Sequence, residues 1–444
     1  MADARRRIQV VAFLDTIGRP ACMLNSQRRN GTGGATADGQ FGDRILAMAG
    51  ELAQWSELPD GLMCTYFSPS HKAAAKQLRE WMRAAGLQAQ IDVVGNVVGR
   101  YPSAADAAKT LIVGSHYDTV AHGGQFDGRL GILTALVVAE YLHRNGRRLP
   151  FHLEVIGFAE EEGVRFAAPY LGSAAIAGRF DESILQRCDD NGVSLATVLR
   201  EAEVDLSAIK ALARRPQTIR GYLEIHIEQG PVLLQHGLPV GIVTAIAGSA
   251  RFRITIRGVT GHAGTVPMSV RHDAVAAAAE IVLAVEQRCA MAPTLVGTVG
   301  QLVVPHGLIN VIAGYCEFSL DVRAGDDVTR DAAIADILAA VAQIAERRGV
   351  TADVTAIGHH AAVPCAPQLQ TALAEAVARM GIEPFYLPSG AGHDAAMFAG
   401  ITDVGMLFVR CGNGGISHSP LETVTAEDAD FAARVLLDVL VHLG

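Results

Sequence analysis

TLIVGSHYDTVAHGGQFDGRLGILTALVVAEYLHRNGRRLPFHLEVIGFAEEEGVRF, residues 110–166, decides the fold of this chain. TLIVG (110–114) reads as a buried strand, 130–143 as a helix and FHLEVIGFA (151–159) as a second buried strand. Strand, helix and strand in that order build a largely parallel sheet covered by helices. Ligands of such sheets collect beyond the carboxyl ends of the strands. His116 and Glu161 fall there.

Upstream, Ser68-Pro69 opens a helix whose apolar positions are Ala74, Leu78, Trp81 and Ala85, ended by Gly86. Residues 26–42 are polar and Gly-rich, and their GTGG lacks the lysine of a phosphate loop. Residues 1–42 are therefore expected to be a mobile N-terminal extension. After Ala247-Gly248-Ser249 the pattern changes. RFRITIRGV (251–259) alternates as a half-buried strand, 271–288 is an Ala-rich helix, and 296–304 and 314–323 are strands. A helix at 327–348 and a strand at 351–357 complete a β-α-β-β-α-β, ferredoxin-like unit. The α/β pattern resumes with a helix at 367–380, the strand GMLFV (405–409) and a final helix near 426–442. The expected architecture is an α/β catalytic domain over 43–247 and 360–444, interrupted by an inserted α+β domain at 248–359.

The bulk numbers agree with a soluble enzyme. A length of 444 residues predicts two domains. Half the residues are apolar, 19% are charged, and the net charge of −9 argues against a nucleic-acid partner. No signal peptide or transmembrane helix is read; the apolar start is short and broken by Asp15. Seven dispersed cysteines without a CxxC predict a reducing cytoplasm rather than a disulfide or zinc framework.

Chemistry concentrates where elements end. GSHYDTV puts His116 just past a strand, with Asp118 two residues on to fix the imidazole's tautomer. Asp127 stands in GGQFDGRLG, where alone it would read as a helix N-cap. FAEEEGVRF places three acids at a strand end, which repel unless cations neutralise them. Glu161 and Glu162 point to different sides, so one can bind a metal while the other moves protons. YLEIHIEQGPVL adds His226 and GGISHSP adds His418. Together these residues fit a site for two divalent ions with a spare carboxylate, hence a metal-dependent hydrolase.

GSHYDTV, GGQFDGRLG, FAEEEGVRF, HIEQGPVL, GHAGTVPM, SGAGHDAAM and GGISHSP together resemble the amidase, hydantoinase/carbamoylase family, from about residue 43 to the C-terminus. That family comprises N-carbamoyl-L-amino acid hydrolases, β-ureidopropionases and allantoate amidohydrolases, relatives of the dimetal aminoacylases and carboxypeptidases. The resemblance implies a dimetal exopeptidase-like catalytic domain, with the inserted domain forming a homodimer. It implies that His116, Asp127 and His226 bind one or both metals with Asp127 bridging, that Glu162 and His418 hold the second ion, and that Glu161 is the general base. His262 would act in the partner's site, and Gln229, Asn310, Arg323 and Gly392 would hold the substrate. The implied cofactors are two ions of zinc or manganese, with cobalt and nickel as alternatives.

The expected reaction is hydrolysis of the C–N bond of a ureido acid, allantoate or an N-carbamoyl-L-amino acid. A water acidified by the metals would give its proton to Glu161 at neutral pH, and Arg323 would grip a substrate carboxylate. TYFSPSHKAAAKQLREWM and GNVVGRY lean toward bacterial allantoate amidohydrolases. A dipeptidase or aminoacylase is the alternative enzyme, disfavoured because those relatives usually carry a carboxylate where His226 stands. A non-catalytic binding relative would have no need to keep Glu161.

Overall fold

The computed structural model describes residues 40–443, so the extension expected over 1–42 lies outside the described residues except for its last three. Phe41 is buried against Tyr141 and Gly42 opens helix α1 (Gly42–Leu52), which places these residues within the folded unit. Helix α2 (Pro69–Ala84) starts as its sequence dictates, with the Ser68 hydroxyl accepting the His71 N–H and Pro69 at the first position. Its buried stripe is Ala74, Leu78 and Met82, continuing to Ala85 beyond the helix; Trp81 is half-buried, one position off the stripe.

The large sheet has nine strands. Seven are β1 (Gln88–Ile91), β2 (Val97–Tyr101), β3 (Thr110–His116), β4 (His152–Phe158), β5 (Ile219–Ile227), β6 (Val240–Ile246) and β11 (Val404–Val409). Across the sheet the order is β6-β11-β5-β3-β4-β2-β1, with the short strands Val363–Pro364 and Tyr386–Ser389 on β6. The four middle strands β11, β5, β3 and β4 are parallel, and antiparallel strands flank them. Helix α3 (Arg129–Arg144) crosses from β3 to β4 and is buried on nearly every side. Its Leu130, Ile132, Leu133 and Leu136 join the main core; each resists truncation to alanine by about 2–5 kcal/mol.

The smaller sheet follows the β-α-β-β-α-β order. Its strands are β7 (Gly248–Arg257), β8 (Leu295–Thr298), β9 (Tyr315–Ala324) and β10 (Thr351–His360), arranged β8-β9-β7-β10 and all antiparallel. Helices α4 (Ala274–Cys289) and α5 (Asp327–Arg348) cover one face, capped by Asp273 and Asp326, and close a core separate from the large one. The half-buried alternation expected over 251–259 appears in β7 from Arg251 to Arg257, and burial alternates strictly along β9. The strand expected over 296–304 is two pieces, β8 and Leu302–Val303, both on β9. β10 runs on to His360 with a register shift between Ala356 and Gly358.

Two chain crossings join the sheets, at Ala247 and at residues 361–362. Both are fastened by the buried Arg330, whose Nη1 donates to the His360 carbonyl (2.8 Å) and to Asp327 (2.7 Å). Asp327 also accepts the Ala362 N–H at 2.8 Å, and Gly248 leaves room for the guanidinium. Helices α6 (Pro367–Arg379) and α7 (Ala426–His442) then return to the large sheet. No helix among the described residues is long and apolar enough to cross a membrane.

Candidate active site

The parallel strands deliver the site. His116 is the last residue of β3, Glu161 and Glu162 follow β4, His226 is next to last in β5, and His418 lies on the loop after β11. Asp127 stands just ahead of α3 and is buried, so it is no exposed helix cap. These residues line one cavity of about 650 Å³.

Asp127 sits at the centre. Its Oδ1 lies 3.3 Å from His226 Nε2 and 3.7 Å from His116 Nε2, while Oδ2 lies 3.0 Å from His418 Nε2. His418 Nε2 is also 3.3 Å from Glu162. Ligands about 2.0–2.2 Å from a tetrahedral ion stand roughly 3.3–3.6 Å apart, so these spacings suit ligand atoms around a small divalent cation. The sets His116–Asp127–His226 and Asp127–Glu162–His418 each bring three donors together and share Asp127. Glu161 joins His116 and Glu162 in a third grouping.

Backbone carbonyls fix the imidazoles. His226 Nδ1 is 2.9 Å from the Ile227 carbonyl and His116 Nδ1 is 3.1 Å from that of Asp118. A carbonyl only accepts, so each Nδ1 carries the proton and each Nε2 presents a lone pair toward Asp127. The Asp118 carboxylate was expected to orient His116. Its oxygens instead accept the N–H groups of Glu161 and Glu162, both at 3.1 Å, which holds the acidic turn.

Electrostatics mark the same centre. His418 is pushed up to about 10 by hydrogen bonds to Asp127 and Glu162, so a positive charge is favoured between those carboxylates. Burial works to raise the pKa of Asp127, yet the imidazoles of His116, His418 and His226 around it hold it well below the usual range. Burial pushes Glu161 well up. Glu160, the third acid, has φ +58° and a fully buried side chain whose pKa burial also raises. It points into the protein and does not line the cavity.

Glycines make the approach possible. A Cβ on Gly128, at φ +64°, would fall 2.4 Å from the His116 ring. Gly128→Ala adds about 1–3 kcal/mol of backbone strain and displaces His116. Turnover and metal affinity are expected to drop about 10–100-fold, as when a ligand's support is lost. Titration with a chelator checks this; unchanged affinity would contradict it.

The expected substrate residues divide into two groups. Gln229, Arg323 and Gly392 line the cavity. The Gln229 amide donates to both Asp127 oxygens at 3.1 Å. Arg323 was expected to grip a carboxylate with an open fork, but its Nε and Nη2 are already forked onto Asp321 (both 3.0 Å) and Nη1 donates to the Gly390 carbonyl. His262 and Asn310 are outside the cavity, exposed, beside the short strand pair Gly261–His262 and Val311–Ile312.

Several contributors had no separate reading in the sequence. Tyr170, at φ +62°, lines the cavity, and its hydroxyl fills the space a Cβ on Gly392 would need. Glu422 accepts the N–H groups of Phe126 and Asp127 and so holds the Asp127 loop. Glu224 is buried beneath the site, accepting from Ser115, Tyr222 and the Ala395 N–H; burial raises it to about 7. The His393 ring packs 4.5 Å from that of His226. An acid in the apolar run YLEIHI was the one available signal for Glu224.

Residues 112–442 match the model of peptidase family M20/M25/M40. The chain belongs to this family. Among M20/M25/M40-like relatives, "Allantoate deiminase 1" of Glycine max is 40% identical, covering 90% of this chain and 89% of its own. The "N-carbamoyl-L-amino acid amidohydrolase" of Geobacillus stearothermophilus is also 40% identical, covering 91% and 98%. A solved amidase of the hydantoinase/carbamoylase family from Burkholderia multivorans superposes with a TM-score of 0.84 at 32% identity, covering 90% and 97%.

Proposed function

We propose that this protein is a dimetal amidohydrolase that cleaves the C–N bond of a ureido acid, either allantoate or an N-carbamoyl-L-amino acid. The observation that carries the reading is Asp127, whose two oxygens face His116 and His226 on one side and His418 on the other. The relatives named for allantoate and N-carbamoyl amino acids support the substrate class. His116, Asp127 and His226 would hold one ion, and Asp127, Glu162 and His418 the other. Divalent ions held there would supply Lewis acidity toward water and the ureido carbonyl.

The chain's own groups do the rest. Glu161 takes a proton from the attacking water and returns it to the departing nitrogen. Asp118 keeps Glu161 and Glu162 in register through their N–H groups. Tyr170 and Gly392 shape the wall on which the substrate rests. Gln229 steadies Asp127 and borders the substrate. The free thiols among the described cysteines suit a reducing cytoplasm.

Residues 43–247 and 360–444 form the catalytic domain in this reading, and 248–359 a ferredoxin-like insert that pairs with a second copy. Separate cores support the division. Exposed Met268, Val270, Leu308 and Ile309 beside His262 and Asn310 support docking there, with both polar residues serving the partner's site. Release of ammonia and amino acid from allantoate, N-carbamoyl-L-amino acids, N-carbamoyl-β-alanine and dipeptides tests the reaction. Cleavage of dipeptides alone would reject it.

Arg323 is the proposed carboxylate anchor. Arg323→Ala is expected to raise KM for ureido acids by about 10–150-fold, the equivalent of roughly 1.5–3 kcal/mol for a charge-assisted contact. An amidated substrate already lacks this contact, so its KM should change far less. Equal discrimination between acid and amide by wild type and variant would remove Arg323 from the role.

A further inference from the structure

Arg323 does not stand alone on its sheet. Asp321 is two residues before it on the same face of β9, and Arg251 is the direct cross-strand partner of Asp321 on β7. Asp321 therefore holds two guanidinium groups at once. Arg323 binds it through Nε and Nη2, and Arg251 binds it through Nε at 2.9 Å. Both arginines border the cavity that contains Asp127, Glu161 and His418, and both also border a second cavity of about 540 Å³ over the open face of the smaller sheet.

Counting donors separates their roles. A guanidinium has five N–H donors. Arg323 has three committed, two to Asp321 and one to Gly390, which leaves two, enough for one carboxylate. Arg251 has one committed, and its side chain makes no other hydrogen bond among the described residues, so both of its Nη groups remain to be used. The side chain is about half exposed, toward the cavities. A substrate that offers only a carboxylate and the scissile ureido group leaves those donors unmatched. One with a further planar acceptor would satisfy them. Thr298, Gln301 and Ser319 line the second cavity and would surround such a group with more polar partners.

We propose that Arg251 is a specificity-determining residue that binds a second polar arm of the substrate, and that Asp321 positions Arg251 and Arg323 together. The proposal rests on the ureido-acid reading and narrows it toward substrates such as allantoate, whose central carbon carries a carboxylate and two ureido groups. Asp321 keeps two like charges side by side and fixes two side chains that are otherwise rich in rotamers.

The test compares allantoate with N-carbamoylglycine, which has the same carboxylate and one ureido group but no second arm. Arg251→Met keeps the length of the side chain and removes its donors. It is expected to raise KM for allantoate about tenfold more than KM for N-carbamoylglycine, with kcat on allantoate changed less than threefold. Asp321→Asn is expected to raise KM for both substrates about tenfold, and Asp321→Glu to recover part of that loss. A purely structural role would instead lower kcat on both substrates together. Equal KM shifts for the two substrates in Arg251→Met, or no shift at all, would overturn the assignment of the arm. Unchanged KM in Asp321→Asn would overturn the positioning role. Wild-type turnover of N-carbamoylglycine but not of allantoate would overturn the second arm and leave the ureido-acid reading standing. Turnover of neither, with no turnover of any other N-carbamoyl-L-amino acid, would overturn both.

Discussion

Replacing Glu161 by glutamine will lower kcat by several orders of magnitude, at least about 10²–10⁴-fold, while the protein still binds two metal ions. The amide copies the shape of the carboxylate but cannot take a proton from water. Glu161 lies with His116 and Glu162 around the cavity, yet neither set that shares Asp127 needs it. Its buried carboxylate, raised by desolvation, is suited to receive a proton and release it again. Kinetics and metal content by mass spectrometry are measured on the same sample. Loss of an ion in this variant would move Glu161 into the ligand set.

Mixing two inactive proteins should restore activity. His262 is exposed and outside the cavity of its own chain, so His262→Ala and Glu161→Gln remove groups that the proposed dimer would bring together from different subunits. A heterodimer then holds one complete site, built on the intact Glu161 of one chain and the intact His262 of the other. Random exchange makes half the dimers mixed, so activity should reach about a quarter of wild type. Each variant alone should stay inactive. Exchange demonstrated by differently tagged chains, with no recovery, would return His262 to its own subunit or to no role.

The fold was legible where burial imposes a period. β3, α3 and β4 carry mainly apolar runs, and β7 alternates from Arg251 onward, so their kinds and approximate limits follow from the residues. Residues 171–218 were not legible, because they fold as short helical turns such as Leu195–Glu201 and Leu206–Leu212, too brief to show a period. Motif spacing pointed to the residues around Asp127, since a strand end fixes where its side chain goes. The supports were hidden for a different reason. Glu422 meets Asp127 across almost three hundred residues, and the use of the Arg323 fork by Asp321 depends on rotamers rather than spacing. Asp118 shows the limit most plainly: its place beside His116 was readable, but which of its oxygens would face the ring was not.

The Arg330 fastening at the two crossings has a mechanical consequence. β7 leaves that point at Gly248 and runs ten residues, about 30 Å at strand spacing, before the chain turns toward His262. Any rocking of the smaller sheet about the fastening works like a lever. A tilt of about 10° would carry the far end through roughly 5 Å, while Ser249 and Arg323, paired at the near end, would barely shift. Arg323, the proposed carboxylate anchor, sits by the fulcrum and the residues proposed for the partner's site ride at the tip. One stiff arm could thus open and close a distant contact while the proposed substrate anchor at its base stays in place.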